Sequence, residues 1–329
     1  MCNKSQMKNK TQKELNPFAY SDSNKRYYTY DYYLKNTFGA KCAKIPIDAG
    51  FTCPNIDGRC GVGGCIYCSG RGSGDFAPLP TLSIDEQIKL CKAALSKKWS
   101  TTLCIPYFQA HTNTYAPLSV LRDKYEKALK AEGVVGLNIA TRADCLENDV
   151  VEYLAELSER TVLTVELGLQ TIHDKTANLI NRGHSYADFL EGYYRLRRAN
   201  SNINICIHLI LGLPGESDEM MEETACEVAR LHPEQVKIHM LHVIKGTKLA
   251  EMYELGKYQP IERDRYIRMA VRTLELLPPD VVIGRITGDG AASDLLAPLW
   301  SIKKTMLIND IDKMLYNTSS MQGRLWKGE

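Results

Sequence analysis

The chain has 329 residues, of which 44% are hydrophobic, and its formal net charge is +2. This length can bury one large core or two modest ones, and the near-neutral charge excludes a generic polyanion binder, so that any nucleic-acid surface has to be local. The sequence has no apolar run of roughly 18 residues, and its N-terminus is polar and lysine-rich. We therefore expect a cytoplasmic protein with no membrane association.

Residues 1–40 are predicted to form a basic, tyrosine-rich N-terminal extension. We expect the first dozen residues to be disordered, because they are polar and rich in lysine. Tyrosines at 20, 27, 28, 30, 32 and 33 could stack on bases, and neighbouring lysines could meet phosphates. For most of these rings we favour the simpler interpretation, which is packing onto the main domain.

From residue 41 to 289, strand-like and helix-like segments alternate. Strands are predicted at residues 44–49, 103–109, 136–141, 161–169, 203–211, 235–243 and 281–286, and helices at 83–98, 118–130, 147–159, 186–199, 218–231 and 262–277. This alternation predicts right-handed βαβ units and a parallel sheet. Six or seven repeats favour an α/β fold, a partial (β/α)6 TIM-like barrel, although the alternation alone also fits a doubly wound sheet. Residues 290–329 are predicted to form a basic, helical tail.

Four of the eleven cysteines, Cys53, Cys60, Cys65 and Cys68, lie within sixteen residues. Disulfides do not suit an odd number of cysteines in a chain without a secretory signal, so these thiols are predicted to hold a metal or cluster. A structural zinc site favours two close pairs, and only Cys65 and Cys68 form such a pair. Three ligands, Cys53, Cys65 and Cys68, fit an iron–sulfur cluster with one open iron better, while zinc bound through Cys60 as well stays an alternative.

Residues 48–58, Asp-Ala-Gly-Phe-Thr-Cys-Pro-Asn-Ile-Asp-Gly, and residues 63–68, Gly-Gly-Cys-Ile-Tyr-Cys, resemble the cysteine loop of the YhcC/YtqA-like family of radical S-adenosylmethionine (SAM) proteins. The resemblance covers residues 25 to 290. It implies a [4Fe–4S] cluster on Cys53, Cys65 and Cys68, and SAM that binds the open iron and is cleaved to methionine and a 5′-deoxyadenosyl radical. It also implies a reducing electron donor such as flavodoxin or ferredoxin.

The same resemblance implies residues for the cofactor and for the substrate. The implied cofactor-binding residues are Tyr67, Gln109, Thr112, Asn113, Glu166, Gln170, His208 and Gly212. The implied substrate-side residues are Arg142, Arg182, His184, His239 and Arg285. Two positions depart from the family pattern, His111 in place of tyrosine and Ala143 in place of proline. The alternatives are ordinary turns and caps, a surface salt bridge for Arg142, an ion pair across the barrel for Glu166, and a core position for His208.

The predicted strand at 235–243 carries three residues whose grouping depends on where the strand ends. Lys237 and His239 lie on one side of this strand and His242 on the other, so they form one cluster only if the strand ends between them. No acidic ligand accompanies them. We therefore expect no second metal site here.

Residues 165–170 and 181–184 also resemble the radical SAM core of the Elongator catalytic subunit. This resemblance implies a transfer RNA partner and modification of its wobble uridine, with a carboxymethylaminomethyl side chain converted to aminomethyl. We expect no acetyl transfer, because no segment is long enough for an acetyltransferase domain. Two other functions stay open: a radical SAM enzyme acting on a small metabolite or peptide, and a zinc-binding interaction module without catalysis.

Overall fold

The computed structural model describes residues 16–96, 101–288 and 290–328. The disorder expected for the first dozen residues lies outside the described residues, as does the predicted end of the first long helix at 98. Within the described ranges, no helix combines the length and the hydrophobicity needed to cross a membrane.

The described elements alternate as predicted. The strands are β1 (Ala43–Ile47), β2 (Cys104–Phe108), β3 (Gly136–Thr141), β4 (Val162–Gln170), β5 (Asn204–Leu211), β6 (Gln235–Met240), β7 (Val243–Ile244), β8 (Val282–Arg285) and β9 (Leu295–Ala297). The helices are α1 (Tyr30–Phe38), α2 (Ile84–Ser96), α3 (Leu118–Leu129), α4 (Asn148–Ser158), α5 (Asp174–Leu179), α6 (Tyr186–Ala199), α7 (Asp218–Leu231), α8 (Lys248–Glu254), α9 (Arg263–Leu276) and α10 (Lys304–Asn317).

Seven parallel strands curl into a half-barrel in the order β1-β2-β3-β4-β5-β6-β8. Helices cover the outer face with apolar stripes, and inward and outward side chains alternate along each strand. The prediction of a partial TIM-like barrel is therefore confirmed. Because all seven strands run the same way, their carboxyl ends meet at one edge, and the loops that follow them lie side by side.

The strand predicted over residues 235–243 is in fact two strands. β6 ends at Met240, and β7 leaves the main sheet to pair antiparallel with β9. The helices α1, α5 and α8 were not predicted, because they have only six to nine residues and little apolar periodicity. The longer helices begin and end within three residues of prediction, helped by caps such as the capping box of Ser185 and Asp188.

The N-terminal extension packs onto the barrel. The backbone N–H of Ile283 in β8 donates to Tyr28 O at 2.8 Å, and Thr29 forms a parallel bridge with Ile283. Phe18 and Tyr27 are each 5% exposed. The packing interpretation is confirmed for Tyr27, and the extension protects the outer edge of β8.

The C-terminal helix α10 also belongs to the main core. Its apolar side chains Leu307, Ile311 and Leu315 are buried there. Beyond α10, the Gln322 side chain donates to Val281 O at 2.7 Å and accepts from Tyr28 N at 2.9 Å. The two ends of the described chain therefore meet beside β8.

Candidate active site

The cysteine loop follows β1 and lies at the carboxyl edge of the sheet. Gly63 and Gly64 have φ of 82° and 73°, in the left-handed region that glycine adopts most readily. The backbone N–H of Gly64 donates to Asn55 O at 2.8 Å, which folds the loop back on itself. This turn brings Cys65 close enough to Cys53 for the two thiols to influence each other's ionisation.

Three of the four clustered thiols converge. Cys53, Cys65 and Cys68 line one cavity of about 210 Å³, which we call the thiol cavity. Burial raises the pKa of Cys65 and of Cys68, so both thiols are protonated when no metal is bound. Cys60 is exposed, does not line this cavity, and places its Sγ 3.9 Å from Asp144 Oδ2. The structure therefore separates Cys60 from the other three.

Asn55 ties the cysteine loop to the segment that follows α5. Its amide nitrogen lies 3.7 Å from Cys65 Sγ and also donates to Asn181 O. The Asn181 amide in turn donates to Gly64 O at 2.7 Å. A Cβ on Gly183 would lie 2.6 Å from Asn55 Oδ1, so this position requires glycine for space as well as for its φ of +77°. These hydrogen bonds hold the cysteine loop against the segment that follows α5.

Most of the residues implied for cofactor binding line the thiol cavity. These are Tyr67, Gln109, Thr112, Glu166, Gln170 and His208. Gln109 Nε2 donates to Ser73 O at 2.7 Å, which holds its amide at the cavity wall. Gln170 ends β4 with a φ of +67°, at a bulge that turns it into the cavity. The strand ends thus supply a polar wall opposite the thiols.

Asn113 and Gly212 do not line the thiol cavity. The Asn113 side chain donates to Ala140 O at 2.8 Å, and Gly212 N contacts Met221 Sδ at 3.3 Å. In the described structure Asn113 thus bonds to β3 and Gly212 contacts α7, and their contact with a cofactor stays a prediction.

Glu166 lies at the centre of a buried polar cluster inside the half-barrel. Its Oε1 accepts from Asn138 Nδ2 at 2.8 Å and from Lys44 Nζ. Its Oε2 accepts from His208 Nε2 at 2.8 Å and from Lys237 Nζ. Burial by itself would raise the pKa of Glu166, but the two ammonium groups hold it well below its usual value. The structure thus shows the ion pair across the barrel, and a ribose contact stays a prediction.

The two lysines of this cluster share one aromatic ring. Lys44 Nζ lies 3.8 Å from the centroid of the Tyr107 ring, and Lys237 Nζ lies 4.5 Å from it. Burial lowers the pKa of Lys44 to about 7, against the opposing attraction of Glu166. Lys44 therefore changes charge near neutral pH, while the ring stabilises its charged form.

Arg142 and Arg182 line the thiol cavity and form one buried chain of contacts. Arg142 meets Asp144 through two nitrogens, at 2.9 and 2.8 Å, and donates to Arg182 O at 2.6 Å. Arg142 therefore does form a salt bridge, but at 8% exposure the pair is buried and does not lie on the surface as the alternative supposed. Arg182 donates to the carbonyls of Thr171 and His184, among others, so its task here is to hold the loop after β4.

His184 lies at the same wall with its ring buried. Neither ring nitrogen has a hydrogen-bond partner within the described ranges. Burial first, and then the nearby Arg182, lower the pKa of His184 to about 3, so the ring is neutral at pH 7. It can give or accept one hydrogen bond toward a ligand in the thiol cavity.

A second cavity of about 570 Å³ adjoins the thiol cavity and shares several lining residues with it, and we call it the inner cavity. His239 and Arg285 line both cavities, and His242 lines the inner one. Because β6 ends at Met240, His242 reaches the same space as His239 and Lys237, which satisfies the condition stated from the sequence. Burial lowers the pKa of both histidines, that of His242 to about 4.

Comparison with known proteins decides the family. The Radical SAM superfamily pattern matches residues 55–227, and the Radical SAM C-terminal domain matches residues 233–317. The chain belongs to the radical SAM superfamily. It is 47% identical over 312 residues to YtqA of Bacillus subtilis (strain 168), covering 95% of this chain and 96% of that protein. Membership of the YhcC/YtqA-like family is thereby confirmed, and with it the enzyme class.

Two further comparisons concern Elongator-type proteins. Over 159 residues the chain is 33% identical to the tRNA uridine(34) acetyltransferase of Methanocaldococcus infernus, which is 47% of this chain and 29% of that protein. The solved structure of M. infernus Elp3 with an N-terminal deletion superposes with a TM-score of 0.64 at 20% identity, covering 85% of this chain and 64% of that chain. This structural likeness shows the shared fold.

The residues of this radical SAM protein fit the cofactors that its family uses, a [4Fe–4S] cluster and SAM. Cys53, Cys65 and Cys68 would hold the cluster, since their thiols meet in one cavity and Asn55 directs an N–H toward the Cys65 sulfur. The unpartnered buried ring nitrogens of His184 and the amide side chains across the cavity suit the polar groups of SAM. The separation of Cys60 leaves three thiolates, as an open iron requires.

Two functional candidates were missed by the site prediction, Lys44 and Lys237. Lys44 lies in an apolar strand. Lys237 was noted only because it lies on the same side of its strand as His239. A charged side chain at an inward position of a buried strand is itself a signal, because burying it requires a partner. Here the partner is Glu166, which lies more than seventy residues from either lysine along the chain.

Proposed function

We propose that this radical SAM enzyme modifies the wobble uridine of transfer RNA, converting a carboxymethylaminomethyl side chain to aminomethyl. The CH₂ carbon next to the carboxylate would lose a hydrogen atom to the 5′-deoxyadenosyl radical and one further electron, which replaces the electron used to cleave SAM. Water would then split the bond from this carbon to the amine nitrogen and release the two carbons as glyoxylate.

The observation that carries the proposal is the similarity to the tRNA uridine(34) acetyltransferases over 159 residues at 33% identity. The matched segment covers only 29% of that acetyltransferase. The match therefore supports a shared tRNA substrate, and it gives no support for acetyl transfer.

The geometry of the site supports this substrate. When bound, the cluster and SAM supply a reductive cleavage that yields a hydrogen-abstracting radical at the thiol side. The inner cavity, at about 570 Å³, has the size of a small-molecule site, and its wall includes the rings of Tyr30, Tyr67, Tyr107 and Phe76. Aromatic rings stack on bases of any identity, so this wall suits an extruded uracil.

The proposal is tested on transfer RNA. Nucleosides from a deletion strain are compared with those from the parent strain by mass spectrometry. We expect the carboxymethylaminomethyl uridine to accumulate and the aminomethyl form to fall, with restoration by the wild-type gene and none by a Cys65→Ala copy. An unchanged uridine profile would refute the proposal and favour a small metabolite or peptide substrate.

A further inference from the structure

The inner cavity carries an imbalance of charge at its base. Lys44 and Lys237 both line it, and both ammonium groups bind the single carboxylate of Glu166. The other partners of that carboxylate, Asn138 and His208, are neutral, because burial lowers the pKa of His208 to about 4. When both lysines are protonated, which for Lys44 holds below about pH 7, the two ammonium groups and the one carboxylate sum to one positive charge. A buried excess charge is costly unless a ligand balances it.

Acidic side chains elsewhere on this wall do not reach the cluster. Among the described residues, Asp75 and Asp294 also line the inner cavity, but both are exposed at its rim. Asp75 accepts from Ser69 Oγ at 2.9 Å. Neither carboxylate contacts Lys44 or Lys237.

The same wall has buried nitrogens without hydrogen-bond partners. Within the described ranges, Gln235 Nε2, His239 Nε2 and His242 Nε2 are buried and have no hydrogen-bond partner. All three line the inner cavity, and Gln235 is only 1% exposed. Buried nitrogens of this kind normally have a partner. Gln235 Nε2 is a donor, and each histidine Nε2 is a donor in one of the two neutral tautomers, so the set suits a ligand that brings oxygen acceptors.

We propose that Lys44, Lys237 and Gln235 form a carboxylate-binding subsite at the inner end of the cavity. The subsite rests on the proposed function, because it assigns a binding site to part of the proposed substrate. The substrate side chain would enter with its carboxylate inward and its carbon chain toward the thiols. A carboxylate brings a negative charge that offsets the excess on the two lysines. Its two oxygens can accept from both ammonium groups at once.

The test uses two nucleosides of the same shape, 5-carboxymethyluridine and its neutral carboxamide, on the reconstituted holoenzyme with SAM. Calorimetric titration measures the dissociation constant of each. We expect the acid to bind about 10- to 100-fold more tightly than the amide, the effect of one charged hydrogen-bonded contact. In Lys237→Met this ratio falls to about one, and in Lys127→Met, which removes a surface lysine paired with Asp123, it is unchanged.

Lys237→Met is expected to fold, because Glu166 keeps Lys44, Asn138 and His208 as partners. Iron content and circular dichroism check this directly. If Lys237→Met fails these checks, Lys44→Met takes its place, and the same loss of the acid–amide ratio is expected. A ratio that survives in the folded variant overturns the subsite.

A second pair of probes separates this proposal from the proposed function. N-acetylglycine and N-acetylglycinamide carry the same charge difference without a nucleoside. In one outcome, N-acetylglycine binds more tightly than its amide, in a way that depends on Lys237, while neither nucleoside binds. This result would support the subsite and contradict a uridine substrate. Equal binding of the acid and amide nucleosides supports uridine and overturns the subsite. Binding of none of the four probes overturns the subsite.

Discussion

The thiol cavity and the inner cavity adjoin, but different parts of the chain hold them. The thiol side is built by one loop of sixteen residues, whose glycines and backbone hydrogen bonds set the position of Cys53, Cys65 and Cys68. The inner side is built by side chains from β1, β4 and β6, which meet only because the sheet curls. Local geometry therefore fixes the cofactor end, and tertiary geometry fixes the substrate end.

This difference predicts how each end fails. Damage to the loop removes the cofactor and leaves the barrel core intact. Damage inside the half-barrel disturbs charge balance, stability and ligand choice while the thiols stay in place. The following predictions test this separation, beginning with the largest effect.

Replacing any one of Cys53, Cys65 or Cys68 with alanine is expected to abolish both cluster binding and SAM cleavage, because three thiolates are the whole ligand set. Cys60→Ser is the matched control and is expected to keep both, since Cys60 is exposed outside the thiol cavity. Iron and sulfide counts, the visible spectrum and 5′-deoxyadenosine formation after anaerobic reconstitution measure this. Loss of the cluster in Cys60→Ser would refute the three-ligand assignment and restore the four-thiol zinc alternative.

Glu166→Gln is expected to lower the free energy of unfolding by about 3 kcal/mol, because it leaves two buried ammonium groups without their carboxylate. Urea unfolding of the metal-free protein measures the change. Glu126→Gln, which removes an exposed pair with Arg160, is the control and should cost less than about 1 kcal/mol. Equal losses in the two variants would show that the buried cluster has no special role in stability.

Arg182→Met is expected to cost about 2 kcal/mol, since several buried carbonyls lose a charged donor. It should also weaken retention of the cluster, because Arg182 holds the segment on which the cysteine loop rests. Arg122→Met, which breaks an exposed pair with Glu156, is the control. Unfolding curves and iron content after gel filtration measure the two effects. Unchanged values for both would refute the positioning role.

Carboxylate affinity at the inner cavity is expected to depend on pH through Lys44, whose pKa is lowered to about 7 by burial. Below that pH the ammonium is charged and the excess positive charge is present. Above it Lys44 loses a proton, so affinity for 5-carboxymethyluridine should fall by up to about tenfold per pH unit. Titrations at several pH values measure this, with the carboxamide as a flat control. Affinity for the acid that rises with pH contradicts the assignment.

The sequence predicted the cysteine loop better than the buried cluster around Glu166, for a physical reason. Three cysteines at fixed spacing, with glycines between Cys60 and Cys65, specify a metal site by local chain geometry alone. The parallel half-barrel follows from periodicity, because each βαβ unit is also local. Resemblance to a known family then supplied the cofactor, which spacing alone left between zinc and iron.

The sequence could not predict the grouping inside the barrel. Lys44 and Glu166 are 122 residues apart, and only the register of four neighbouring strands brings them together. The position of His242 depended on where β6 ends, and the pairing of β7 with β9 that ends it involves residues some fifty positions apart. The burial of Arg182 depended in the same way on contacts that only the folded chain makes.

The proposed reaction needs SAM cleavage at the thiol cavity and a uridine side chain in the inner cavity. One isotope experiment tests most directly whether the two occur together. The substrate is transfer RNA with a carboxymethylaminomethyl uridine that is deuterated along its side chain. It is incubated with the reconstituted enzyme, SAM and a reductant, and mass spectrometry measures the deuterium content of the 5′-deoxyadenosine. We expect deuterium in the 5′-deoxyadenosine together with conversion of the uridine, and neither in the Cys65→Ala protein. Formation of 5′-deoxyadenosine without deuterium, with the uridine unchanged, would contradict the account.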